Sequence, residues 1–159
     1  MTQTKDKNEK VAAGEDAFIL FDVAGTSYGI RSIDVQQMEM VENITPVPNT
    51  PAYVEGVMFS RGEAIPVINL RSRFGIEKIE YNIKTRVIVV RNEERTAGLI
   101  ADAAREYVYL PAGSVQPLPE YISASRATWL EGIAKTEDRT ILIFNVREFL
   151  RSEYKEVQV

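Results

Sequence analysis

The sequence predicts a mainly β protein assembled from two similar subdomains, and three observations carry that prediction. One pattern occurs twice. Tyr53-Val54-Glu55-Gly56-Val57 and Trp129-Leu130-Glu131-Gly132-Ile133 lie 76 positions apart, as do Val67-Ile68-Asn69-Leu70-Arg71 and Ile143-Phe144-Asn145-Val146-Arg147. The apolar segments are short, often β-branched and punctuated by Gly and Pro, as in small barrels or sandwiches. The repeat is too long for a solenoid unit, and one copy alone is near the lower size limit for independent stability. Two subdomains that share buried surface meet both constraints, and 45% hydrophobic residues in 159 suffice for a core.

The elements follow in order. Residues 1–16 are polar and charged and read as a disordered lead-in, not a secretory signal. The run 18–23 is a buried strand, Ala24-Gly25-Thr26-Ser27 a turn, and Tyr28-Gly29-Ile30 the return strand of a hairpin. Residues 33–38 fit one helical turn with Ser32 as its N-cap, leading into an extended segment at 38–41. Three prolines within 46–51 exclude a central strand or helix interior and mark a rigid loop. Strands at 53–59 and 63–69 flank the tight turn Ser60-Arg61-Gly62, and a short helix at 70–74 closes at Gly75. The charged, irregular stretch 76–84 joins the repeats, which span 18–75 and 86–150.

The second half repeats the plan. Arg86-Val87-Ile88-Val89-Val90-Arg91 is a β-branched central strand, 92–96 a polar turn, and 97–102 its return. Segment 105–110 alternates, with Tyr107 and Tyr109 on one face and Val108 and Leu110 on the other. A loop at 111–119 precedes the closing hairpin, whose strands are 129–135 and 140–146. Residues 147–155 read as a C-terminal helix, and the domain is drawn at 17–152 with 153–159 as a tail. Earlier matches between the halves are looser: Pro46-Val47-Pro48 with Pro117-Leu118-Pro119, and Gly29-Ile30 with Gly98-Leu99. Their different offsets imply connecting loops of unequal length.

Composition removes several function classes. Histidine is absent, which excludes Ser-His-Asp, Cys-His and His-based metal sites and a histidine-phosphorylated relay. Cysteine is absent, which fits a reducing compartment. The net charge of −4 and the scattered basic residues argue against nucleic acid, and no apolar run approaches transmembrane length. The acid pairs Glu93-Glu94 and Glu137-Asp138 sit in polar turns, where solvation explains them better than acid–base chemistry. Ser123-Ala124-Ser125-Arg126 lacks the glycines of a phosphate cradle.

Binding features remain. Gly62 suits a positive φ, while Gly56, and Gly132 as its repeat counterpart, suit a close backbone approach. Arg61 stands at a turn tip with a guanidinium that projects outward, and Arg is enriched at interface hot spots. Val35, Met38, Met40 and Val41 form an apolar set that fits either core packing or a groove for an amphipathic helix. Tyr107 and Tyr109 suit a half-wet surface.

These residues carry a family resemblance. Val47-Pro48-Asn49-Thr50-Pro51-Ala52-Tyr53-Val54-Glu55-Gly56-Val57, Ser60-Arg61-Gly62 and Ile65-Pro66-Val67-Ile68-Asn69-Leu70-Arg71-Ser72-Arg73-Phe74 resemble the signature of the CheW family of bacterial chemotaxis adaptors. Arg86-Val87-Ile88-Val89-Val90, Gly98-Leu99-Ile100-Ala101-Asp102 and Leu130-Glu131-Gly132-Ile133-Ala134-Lys135 agree with it. The resemblance runs from about Phe18 to Leu150. It implies two SH3-like five-stranded β-barrels around a shared hydrophobic centre, with short helices and a C-terminal helix. It implies no catalysis and no cofactor. Implied partners are the cytoplasmic tip of a methyl-accepting chemoreceptor, the regulatory domain of the histidine kinase CheA and, in array rings, other domains of the family.

The receptor tip, a helical hairpin, would lie in the groove between barrels, touching Val35, Gln37, Met38, Arg61, Ala104 and Tyr107. The implied location is the cytoplasm, at receptor arrays, without membrane insertion. Met58-Phe59-Ser60 and Ala103-Ala104-Arg105-Glu106-Tyr107 depart from the family pattern near that face. A module of this fold serving a non-chemotactic or specialised chemosensory kinase stays open. An enzyme using carboxylates or tyrosines finds no support in the spacing.

Overall fold

The computed structural model describes residues 16–120, 129–136 and 138–157. Most of the lead-in, the segment 123–126 and Glu137 lie outside the described residues. Ten strands form two five-stranded sheets. They are β1 (Asp16–Val23), β2 (Thr26–Arg31), β3 (Val35–Glu39), β4 (Val54–Ser60), β5 (Glu63–Asn69), β6 (Arg86–Asn92), β7 (Arg95–Ala101), β8 (Ala103–Leu110), β9 (Leu130–Lys135) and β10 (Thr140–Phe144). Helix α1 is Leu70–Arg73 and helix α2 is Val146–Val157. Thus α2 runs into the segment read as a tail, where Glu153 is buried.

The two sheets have the orders β8-β1-β2-β10-β9 and β3-β6-β7-β5-β4. Exchanging each strand for its repeat counterpart converts one order into the other, so the halves are related by a pseudo-two-fold. Neither sheet belongs to one repeat. The opening hairpin of each repeat is completed by the last three strands of the other, through the parallel pairs β2–β10 and β5–β7. The register repeats too: Ile143 faces Gly29 as Val67 faces Gly98.

Both sheets curl into SH3-like barrels that ladder pairing leaves open at one seam. The chain after β3 returns to pair Thr45 with Val57 on β4, both bonds being 2.9 Å. Gln116 joins Ile133 on β9 in the same way, at 2.9 and 2.8 Å. Gly56 and Gly132 sit at these closures. A Cβ on Gly56 would lie 2.0 Å from the Thr45 carbonyl oxygen, and one on Gly132 would lie 2.7 Å from that of Gln116.

Three clusters explain the unbroken apolar strands. Phe18, Leu20, Ile141 and Ile143 fill the β1 barrel, while Val67, Val87, Val89 and Ile100 fill the β6 barrel. Between them Phe21, Ile30, Ile88, Val90, Leu99, Phe144 and Phe149 form the shared centre. Strand β6 therefore buries both faces, Val87 and Val89 inward and Ile88 and Val90 toward the centre, which removes any alternation from its sequence. The repeated Asn caps the helix after each closing strand: Asn69 accepts the Ser72 amide at 3.2 Å, and Asn145 that of Glu148 at 3.0 Å.

The helical turn expected at 33–38 is corrected. Only Ser32–Asp34 form a 3-10 turn, preceded by Arg31 and without a side-chain cap, and the β-branched Val35 already opens β3. Cross-strand pairing with β6 wins over the weak local cap signal.

Candidate functional site

The sequence-predicted site residues occupy β3, β8 and the β4–β5 turn. Val35 and Ala104 both pack, partly buried, against the shared centre. Met38 and Tyr107 stand further along the same strands, 41% and 59% exposed. The register shows why these four belong together. Val35 faces Val90 and Met38 faces Ile88, with a bulge between them. Ala104 faces Phe21 and Tyr107 faces Ile19, again across a bulge. Val90 and Phe21, and Ile88 and Ile19, are repeat counterparts, 69 positions apart like Gly98 and Gly29. Val35/Ala104 and Met38/Tyr107 are therefore pseudo-two-fold pairs on two bulged strands, and bulges re-aim side chains.

The β4–β5 turn sits beside β3. Gln37 donates to Ser60 Oγ at 2.9 Å and also to Glu39, and the Arg61 guanidinium reaches the Gln36 carbonyl at 3.3 Å. Arg61 and Gly62 both have positive φ, 53° and 79°, which is the type I′ geometry of a two-residue hairpin. Ala24 and Glu93 take the same backbone region at the two opening hairpins, so the local strain is not peculiar to Arg61. What distinguishes Arg61 is a long exposed cation held by one weak backbone contact.

Sequence reasoning missed two exposed apolar residues near this turn and β3. Phe59 is 73% exposed because it alternates with the inward Met58, and Ile33 is 87% exposed on the 3-10 turn. The signal for Phe59 was available in the period of β4, whose inward face is fixed by Gly56 and Met58.

A polar network ties the 76–85 linker to the β6 barrel. The Glu55 carboxylate accepts from Tyr81, from Asn69 at 3.0 Å and from Lys78 at 3.2 Å. Burial raises the Tyr81 hydroxyl and its bond to Glu55 raises it further, to about 12. Arg71 grips Asp102 through two bonds of 2.9 and 2.8 Å, and Asp102 also accepts the Ala24 amide at 2.8 Å. Burial pushes Asp102 up, but those donors outweigh it and hold its carboxyl below the usual range. The shallow cleft beside Asn69, Tyr81 and Thr85 has a cavity volume of about 10 Å³. That is far below the roughly 300 Å³ of small-molecule sites. Among the described residues no group of three acidic side chains is placed to hold a metal, and no helix is long and apolar enough to cross a membrane.

Known proteins resemble this chain in sequence and in fold. Chemotaxis protein CheW of Helicobacter pylori is 32% identical over 150 residues, covering 94% of this chain and 88% of that one. Chemotaxis protein CheW of Klebsiella aerogenes is 29% identical over 136 residues, covering 86% and 82%. The crystal structure of scaffolding protein TtCheW from Thermoanaerobacter tengcongensis superposes with a TM-score of 0.74 at 36% identity, covering 81% of this chain and 88% of that one. The profile of the CheW-like domain matches residues 17–154, and the chain belongs to that family.

Proposed function

We propose that this chain is a chemotaxis adaptor that couples methyl-accepting receptors to the histidine kinase CheA by binding both, without catalysis, in the cytoplasm. The observation that carries the reading is the pairing of Val35 with Ala104 and Met38 with Tyr107 across the shared centre. Two bulged strands from different barrels present apolar side chains, and Arg61 borders one of them. A helical receptor tip suits such a surface, since amphipathic helices dock through apolar anchors at successive turns. An adaptor of this kind acts by coupling the free energies of two sites, and weak single contacts gain strength from array multivalency.

The test is calorimetric titration against a receptor-tip fragment and the CheA regulatory domain of the same cell, with wild type, Arg61→Ala and Tyr107→Val. Wild type is expected to bind both. Each variant is expected to keep the native unfolding midpoint and kinase affinity while receptor affinity falls about tenfold, the loss of one hot-spot contact. Unchanged receptor affinity in both variants would remove the proposed face. Absence of binding to either partner would remove the adaptor reading.

A further inference from the structure

We infer that Arg73 and Glu153 form a clamp that locks the two barrels in one relative orientation. The Arg73 guanidinium carbon lies 4.6 Å from the Tyr53 ring centroid and 4.5 Å from that of Trp129. These rings are repeat counterparts, 76 positions apart. Tyr53 leads into β4 of the β6 barrel, and its carbonyl accepts the Asn69 amide. Trp129 leads into β9 of the β1 barrel, and its carbonyl accepts the Asn145 amide. One cation therefore sits between two-fold equivalents and belongs to both barrels.

The carboxylate partner crosses the junction as well. Arg73 Nε donates to Glu153, whose residue is only 3% exposed. Glu153 lies on α2, which issues from β10 of the β1 barrel but packs on β6 and β7 of the other. Phe74, next in sequence, stacks on Trp129 at 5.7 Å and meets Tyr28 at 5.5 Å. Phe74 also packs against the centre on which Val35 and Ala104 rest, so the clamp is one step from the proposed receptor face.

The repeat supplies its own control. The counterpart of Arg73 is Phe149, fully buried and edge-on to Trp129 at 5.5 Å. An apolar side chain thus fits this position in the other half. A buried ion pair is a poor source of stability compared with apolar packing, but its directional bonds can fix geometry. The planar guanidinium constrains two directions at once, stacking through its faces and bonding through its edge. Arg73 and Glu153 are positioning residues: they set the angle at which β3 and β8 are presented.

The chain has no cysteine, so two can be introduced for spin labels without background. Glu94→Cys, on the exposed β6–β7 turn, marks one barrel, and Thr140→Cys on β10 marks the other. The distance distribution between the labels is compared for the clamped chain and for Arg73→Met with Glu153→Leu. Replacing both members of a buried pair with apolar residues is compatible with folding. The expected result is retained cooperative unfolding with a distribution about twofold broader or visibly displaced, as when an element with two arrangements is released. A folded double variant with the parent's distribution would overturn the clamp.

If the double variant does not fold, Glu153→Gln is read by the same criterion, since it keeps the shape and removes the carboxylate charge. A second arm rests on the receptor reading: affinity for the receptor-tip fragment is expected to fall about tenfold while kinase affinity holds. Failure of the wild type to bind that fragment would count against the receptor reading alone, because the label distances decide the clamp without any partner.

Discussion

Gly56 and Gly132 hold the same place in the two halves, and alanine at each should separate backbone strain from crowding. A Cβ on Gly56 would lie 2.0 Å from the Thr45 carbonyl oxygen and 2.6 Å from its carbon, and φ is +144°. That carbonyl cannot retreat without losing its 2.9 Å bond from the Val57 amide. A Cβ on Gly132 would meet the Gln116 oxygen and Val115 Cγ1, both at 2.7 Å, with φ outside the left-handed range. Crowding a packed site costs about 1–3 kcal/mol, and a left-handed backbone adds about 1–2 kcal/mol for a residue with a Cβ. Stiffening the unfolded chain returns about 0.5 kcal/mol. Gly56→Ala takes the upper crowding value plus the backbone cost and loses about 4 kcal/mol; Gly132→Ala takes the middle value alone and loses about 1.5 kcal/mol. With a urea slope of about 2 kcal/mol/M, the midpoints fall by about 2 M and about 0.8 M at constant slope. Equal losses in the two variants, or a Gly56→Ala midpoint within about 0.3 M of wild type, would refute the reasoning from closure geometry.

Two further outcomes concern ionisation. Tyr81 is raised from its ordinary 10.0 to about 12, so its protonated form is favoured in the folded state. Its contribution is complete below pH 10 and is lost as pH rises from there through about 12. Melting curves of wild type and Tyr81→Phe should therefore converge across that alkaline window, and parallel curves would show that the hydroxyl does not titrate with folding. Asp102 is depressed, so its contribution is present above the unfolded carboxyl value of about 3.9 and is lost as pH falls through the lower folded value. Asp102→Asn should cost about 1.5–3 kcal/mol at neutral pH, for a charged bond pair left unmade. That gap should shrink below about pH 4 in chemical denaturation.

Strand positions were legible in the sequence because each short apolar run ends at a Gly or polar turn. The repeat was legible because Glu-Gly and Asn-x-Arg recur at a fixed spacing. What those letters cannot encode is the partner of each strand. Val67 pairing with Gly98, or Ile143 with Gly29, is decided by which apolar faces fill a barrel together. The helical turn expected at 33–38 fails for a related reason: Ser32 is a credible cap, and only the ladder with β6 overrules it. Val35, Met38, Ala104 and Tyr107 stand together among the implied receptor contacts, and their pairing as counterparts emerges only from the matched bulges. The Arg73–Glu153 pair had no local signal at all, since the two residues come together across 80 positions through a helix that changes barrels.

Strand exchange makes a stronger demand on the chain than two fused barrels would. The β1–β2 hairpin completes its sheet only with β8, β9 and β10, and β6–β7 only with β3, β4 and β5. A cut between Asn82 and Ile83, inside the linker, leaves Tyr81 with Glu55 and no covalent bond within any strand broken. Fragment 1–82 nevertheless carries the β1–β2 pair of one sheet, and only β3 and the separate β4–β5 pair of the other. Fragment 83–159 carries the complement. Neither can fill a barrel interior alone, and an isolated hairpin is at best marginal in water. Mixed at equal concentration, the fragments should recover the native near-ultraviolet signal and one cooperative transition. Its midpoint should depend on concentration, because the linker no longer holds the halves at high effective concentration. Because the halves are pseudo-equivalent, any folded form of a single fragment should be a dimer that exchanges the same strands with its own copy. A single fragment that unfolds cooperatively as a monomer in sedimentation would mean that one repeat can close a barrel by itself, and the exchanged topology would then be wrong.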